Sequence, residues 1–389
     1  MLSSALSITG GLALIVLAGG LNGSWNVSFH SLALAPNQID FGGAWLLFQL
    51  YAAIINIPVC IYWAGGPERV TWLVQETPVA TILWICLFAV IWGCGSVGFG
   101  VACKVAGVGM GTNLTIGVVT VLGALLPLLL EKAALTPSGY MILSGLVVCC
   151  VGLFFSMKSL QERDKSDDDA AVDENGELAA ISTVNKQETT TDDQESVKDE
   201  DSPAAAMPGA QYSSTMKVAL CLVAGVLATQ LQFAFVFGQP IVDLAASDDG
   251  PGATTPTGYA AVIWLFVFTT SAPVSIIYGL HSTKYPYRNL LTCGIQRHLI
   301  ILLTATLPWV GHVHLYGIAN TILPDALAAA VSWPVLMMVT VVVGMVWSWA
   351  LGEWKEANET SRRLMYVGLG IVLAGITVLM LSLVVASDR

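Results

Sequence analysis

Residues 92–111 read WGCGSVGFGVACKVAGVGMG, seven glycines in twenty residues inside one of the most apolar parts of the chain. Gly93, Gly95 and Gly98 satisfy G-x-G-x-x-G, the pattern of a dinucleotide-binding turn. That use requires a strand, a tight turn, an exposed helix start and an acidic residue about twenty positions on. Positions 113–122 read TNLTIGVVTV, with no acid, and the segment lies in two consecutive runs of membrane-span length. The remaining use is helix packing. Hydrophobicity does not draw helices together inside lipid, whereas close backbone approach does, and it needs small residues. Gly107 and Gly111 form G-x-x-x-G, as do Gly19 and Gly23, and Gly93, Gly95 and Gly100 are assigned the same packing role. No organic cofactor and no metal site is implied.

The rest of the composition agrees with a membrane setting. Of 389 residues, 55% are hydrophobic and 11% charged, against about 25% charged in a soluble domain. The net charge of −11 is local: residues 158–215 hold 15 acidic and 5 basic side chains, a balance of −10. Acidity therefore describes one segment and points to no cationic partner or nucleic acid. The eight cysteines sit mostly in apolar runs without a C-x-x-C pair, and read as small packing residues. The opening MLSSALS lacks a basic region, so the first apolar run is expected to persist as a span.

Apolar runs long enough to cross a bilayer, about 20 residues each, fall at 5–29, 42–64, 79–103, 107–130, 139–157, 216–237, 259–280, 298–320, 327–351 and 364–386. The expected fold is an all-α polytopic membrane protein of ten transmembrane helices, arranged as a 5+5 inverted repeat. Residues 1–157 form the first repeat, 158–215 an acidic disordered linker whose stretch 166–206 has no aromatic residue, and 216–389 the second. Trp92 aligns with Trp309, Phe99 with Tyr316 and Gly100 with Gly317, all 217 apart; 18–29 aligns with 224–235. An odd number of spans per half inverts the second copy, a transporter arrangement. Eleven Lys/Arg near span ends on one side against three on the other place the linker in the cytosol and both termini outside it. Which membrane holds the chain is left open.

The Trp92–Gly111 segment resembles the third-to-fourth span region of the L-rhamnose/proton symporter family, within the drug/metabolite transporter superfamily. The shared positions are Trp92, Gly93, Gly95, Gly100, Lys104, Gly107 and Gly111. GGLNGSWNVSF in the first span and LGEWKEANETSRR after the ninth are similar to further family segments. HSLALAPNQIDFGGAW departs, having no Lys or Arg where the family carries a basic stretch. The resemblance implies symport of a sugar with a proton.

Polar side chains inside a span are costly unless paired or facing a wet cavity. Asn22 and Asn26 in the first run, Asn113 in the fourth and Gln232 in the sixth are candidate pathway residues. Their amides suit a hydroxyl-rich ligand, although interhelical bonding is the competing use. Trp92, Trp309, Tyr316 and Trp333 are candidate apolar faces for a sugar ring; most of the 12 tryptophans read as interfacial anchors. His312 and His314 stand two apart, so a helix points them to different faces, and at most one faces a cavity. A proton needs a titrating group in the pathway. No carboxylate lies mid-span, which leaves His312, His314 or Asp325; with none of these the chain would be a facilitator. An anion would need a cationic partner, and only Lys104 approaches that place, at a span end. A small neutral solute is preferred. A nucleotide-sugar or other metabolite exchanger is the alternative, with a cation pathway or a membrane receptor behind it; none is an enzyme.

Overall fold

The computed structural model describes residues 2–25, 27, 29, 39–130, 135–185, 212–247, 249–255, 258–323, 327–355 and 357–387. Among these, every regular element is a helix. The first half contains α1 (Leu2–Ser24), α2 (Phe41–Trp63), α3 (Pro67–Glu76), α4 (Val79–Ala106), α5 (Val108–Leu130) and α6 (Pro137–Asn185). The second contains α7 (Ser214–Ala228), α8 (Gln230–Phe237), α9 (Gln239–Ala246), α10 (Tyr259–Ser282), α11 (Tyr287–Thr292), α12 (Ile295–Ile300), α13 (Leu307–Ile322), α14 (Leu327–Ala350) and α15 (Glu359–Ser387). Nine helical stretches of the described residues are long and apolar enough to cross a membrane, and α1 carries a shorter apolar stretch, Ile8–Ser24. The chain is a polytopic, all-helical membrane protein.

Local chemistry explains the breaks. The glycine-rich segment folds as a helical hairpin, with Gly107 alone between α4 and α5 at φ +86°, a conformation that costs glycine nothing. Gly107 is thus the turn rather than a packing glycine; the nearest atom to a Cβ there would be an Arg163 guanidinium nitrogen at 3.8 Å. Gly111 does pack, because a Cβ would sit 2.6 Å from Cys103 Cα. In the eighth apolar run a π-helical turn, Ile301–Thr306, separates α12 from α13. Pro308 follows at the start of α13; it has no N–H to give Thr304 and crowds that carbonyl, which widens the preceding turn. Helix α6 continues past the expected end of its span as far as Asn185, over residues that include the good helix formers Ala, Glu and Leu. Positions 186–211 lie outside the described residues.

The helices pair across the two halves. α1 packs on α13 and α14, while α7 packs on α4 and α5; α2 lies against α10, and α6 against α15. Individual contacts recur. Gly19 meets the Leu336 carbonyl and Val339, and Gly225 meets the Thr115 carbonyl and Val118. Gly123 rests on Trp333 and Gly344 on Thr112; Gly145 and Gly152 meet Leu379 and Val372, as Gly368 and Gly375 meet Ser156 and Cys149. Along α6 and α15 the exchange is reciprocal: Ser159 Oγ donates to the Ser361 carbonyl and Ser361 Oγ to the Ser159 carbonyl, each at 2.6 Å. The packing glycines are needed at these crossings. Gly23 abuts Val343 and the Thr340 carbonyl, Gly93 abuts Ser271, Gly95 abuts the Ala228 backbone, and Gly100 abuts the Trp45 ring.

Candidate solute-binding cavity

A cavity of about 80 Å³ opens where α1, α4, α5, α7, α8, α10, α13 and α14 meet. One water needs about 10–15 Å³ by this measure, so the space matches about half a dozen waters, or one small polar solute. Five tryptophans line it: Trp25, Trp92, Trp264, Trp309 and Trp333. Trp92 from α4 and Trp309 from α13 stack with centroids 6.3 Å apart and 15° between planes. Trp264 crosses Trp92 at 71°. Trp309 is braced by Phe48 and Phe268 at 5.5 and 5.4 Å, and Trp25 stacks on Phe48 at 5.1 Å and 7°. The rings are held from behind by other rings, so few rotamers remain open to them.

Polar atoms punctuate this wall. Asn22 Nδ2 donates to Thr340 Oγ1 at 3.1 Å, which leaves its carbonyl oxygen. Trp264 Nε1 and His312 Nδ1 are buried without hydrogen-bond partners. Trp333 Nε1 points to the Val119 carbonyl at 3.4 Å, and Tyr316 Oη accepts from Ser332 Oγ at 3.2 Å. Ser96 and Thr115 add hydroxyls, and no charged side chain lines the space. Unmet donors beside aromatic faces provide what a hydroxyl-bearing ring needs: apolar surface for its C–H faces and hydrogen-bonding partners at its edge.

Of the residues the sequence singles out, Asn22, Trp92, Trp309, His312, Tyr316 and Trp333 come together here. Asn113 does not line the cavity; it is buried at 1% exposure with both amide atoms unpartnered. Gln232 sits behind the wall, where its Cγ and the Trp333 indole both crowd Gly123. His314 points away, its Nε2 lying 3.2 Å from Asn56 Oδ1 and its ring stacked on Trp63. Asn26 and Asp325 lie outside the described residues. Lys104 places Nζ 5.4 Å over the Phe41 ring and does not reach the cavity. Glu353 at the α14–α15 link accepts from Ser348 Oγ and pairs with Arg163 at 3.5 Å.

Sequence reasoning missed Trp25, Trp264 and Ser96 as cavity residues, whereas Thr115, one of the hydroxyls noted in the fourth span, does line it. Trp264 lies five residues inside α10 rather than at its end, and that depth is a signal distinguishing it from an interfacial anchor. Ser96 offers no such signal, since single hydroxyls inside spans usually bond their own helix.

Comparison with known proteins follows the sequence resemblance. The model of the L-rhamnose-proton symport protein family matches residues 41–181, which include α2 to α5 and the Trp92–Gly111 hairpin. An L-rhamnose-proton symporter of Pectobacterium atrosepticum is 32% identical over 114 residues, 28% of this chain and 32% of the relative. One from Yersinia pestis is 33% identical over 79 residues, 19% of this chain and 23% of the relative. The matched stretch thus spans about a third or less of these curated relatives. No solved structure matches.

Proposed function

We propose that the chain is a secondary-active transporter of a neutral, sugar-like metabolite of rhamnose type, coupled to protons and working by alternating access. The observation that carries this reading is the central cavity: tryptophan faces drawn from both halves beside the unpartnered ring nitrogens of Trp264 and His312, without a charged side chain in the lining. The similarity to L-rhamnose-proton symporters over residues 41–181 supports the same solute class. An anionic nucleotide sugar would enter a space that offers its phosphates no cation, which disfavours the exchanger alternative. Clustered carboxylates for a cation path are absent from the lining. The transporter changes no bond in its solute.

The two halves are read as five-helix inverted repeats. Gly19 on Leu336 and Val339 corresponds to Gly225 on Thr115 and Val118, and the matched positions of α5 and α14 differ by 221 throughout, with Gly123–Trp333 and Gly344–Thr112 on the same offset. Contacts that survive exchange of the halves support a two-fold relation, and rocking one half against the other would then expose the cavity alternately to each side. On this reading α1 forms the tenth span, the linker after α6 is cytosolic, and both termini lie on the other side.

Uptake by the purified protein in liposomes tests the proposal, using labelled L-rhamnose, other neutral hexoses and nucleotide sugars with and without an imposed pH gradient. Saturable uptake of a neutral sugar, raised by an inward proton gradient, supports it. Uptake of nucleotide sugars alone overturns it, and sugar movement indifferent to the gradient removes the coupling.

A further inference from the structure

Two histidines of α13 differ in what surrounds them. His312 lines the cavity with Nδ1 unpartnered and its ring edge-on to Trp309. An imidazolium there would face apolar rings, with only the Trp309 backbone carbonyl one turn back to accept from it, which is costly. His314, on the other face, has a built site. Its Nε2 meets Asn56 Oδ1 at 3.2 Å. Its ring stacks on Trp63 with centroids 6.1 Å apart and 24° between planes. Asn56 is fully buried near the middle of α2, and its Nδ2 has no partner. Trp63 in turn lines a second, open cavity of about 630 Å³, formed by the α2–α3 turn (Gly65, Gly66) and the loop before α10 (Ala253, Thr255). A chain of contacts therefore leads from a solvent-sized vestibule through Trp63 and His314 to a buried amide.

We infer that His314, held by Asn56 and covered by Trp63, is the proton-binding group of the transporter, separate from the solute cavity that His312 lines. This rests on the transport reading above and assigns its coupling ion a place. The Asn56 carbonyl accepts from Nε2–H and fixes the neutral tautomer, leaving Nδ1 to take a proton. The amide oxygen and the indole face offset part of the cost of burying a charged ring. The titratable neighbours are few. α13 carries His312 and Tyr316; α2 carries Tyr51, Cys60 and Tyr62; α10 carries Tyr259, Tyr278 and, in its last turn, His281. α1 and α14 carry no ionisable side chain, so no carboxylate on these helices competes for the proton. Because His312 and His314 share one helical turn, a charge at His314 bears on the same element that forms the cavity wall.

Two measurements decide it. In liposomes, the ratio of L-rhamnose uptake with and without an inward gradient of one pH unit should fall to about one in His314→Gln, whereas a one-proton symporter can reach about tenfold. An undiminished ratio in that variant overturns the assignment. In detergent-solubilised wild-type protein with isotope-labelled histidine, NMR should show one resonance titrating between about pH 5 and 8 that is absent in His314→Gln and shifted in Asn56→Ala. A His314 resonance unchanged across that range also overturns the assignment, whatever the transport result. If the wild type moves no L-rhamnose, the solute reading fails, and the titration still decides the proton site.

Discussion

Trp92 and Trp309 stack at 6.3 Å and 15°, and they are one of three residue pairs that the internal alignment of the halves places in equivalent positions, 217 apart. Residues equivalent by sequence meet face to face in space, as positions beside a two-fold axis would. The stack also forms part of the cavity wall, so it joins the proposed repeat to the proposed solute site.

Trp309→Ala should raise the concentration of sugar giving half-maximal uptake tenfold or more, equivalent to about 1.4 kcal/mol of binding. Trp309→Phe keeps an apolar face and should lose less. Counterflow kinetics in liposomes check both. Equal half-saturation in wild type and Trp309→Ala would remove the indole from the site.

Asn22 bonds Thr340, whose hydroxyl also reaches the Leu336 carbonyl at 2.9 Å. Interhelical bonds of this kind contribute about 0.6–2 kcal/mol in membranes. Asn22→Ala should therefore shift thermal unfolding by only a few degrees while abolishing most sugar uptake. A large loss of stability with transport kept per folded molecule would mean that Asn22 is interhelical bonding and nothing more.

Gly95 lies against the Ala228 backbone, whereas Gly20 has no atom within 4 Å of an added Cβ. Gly95→Ala should push α4 and α7 apart at a cost of about 1–3 kcal/mol, seen as reduced monodisperse yield on gel filtration. Gly20→Ala should match or slightly exceed the wild type. Equal behaviour of the two variants would contradict the tight α4–α7 crossing.

Arg69 of α3 is fully buried. Its guanidinium donates to the carbonyls of Ala245 and Ser247 at 3.2 and 3.0 Å, to Thr254 Oγ1 at 3.3 Å, and to the Asp249 carbonyl, while stacking 4.6 Å over Trp72. It thus caps the C-terminal end of α9. Lysine cannot span these acceptors, so Arg69→Lys should cost more than about 3 kcal/mol, from at least two charge-assisted bonds lost. A thermal-shift assay in detergent reads this, and an unchanged midpoint would show the clasp to be dispensable.

The sequence made some of this legible and hid the rest for physical reasons. Spans are visible because lipid demands long apolar helices, and the Trp92–Gly111 glycines are visible as packing residues because close crossings leave no room for a Cβ. The exception is Gly107, where spacing alone could not separate a packing glycine from the single-residue turn that the hairpin needs. His312 and His314 had to face different ways on a helix; which one faced the cavity depends on how α13 is rotated, and that is set by neighbours such as Trp309 and Asn56 rather than by spacing. Asn113 and Gln232 are polar side chains in apolar runs just as Asn22 is, and only packing sends them elsewhere. Asn56 was passed over because a lone amide in a span carries no mark of its partner.

A cysteine placed at Ser96, in the cavity wall and in a background without the eight native cysteines, tests the midplane pathway most directly. Membrane-impermeant thiol reagents should label it from either face of the membrane, and saturating L-rhamnose should slow both reactions. Labelling from one face only, or from neither, would contradict an alternately opened chamber at the centre of the bundle.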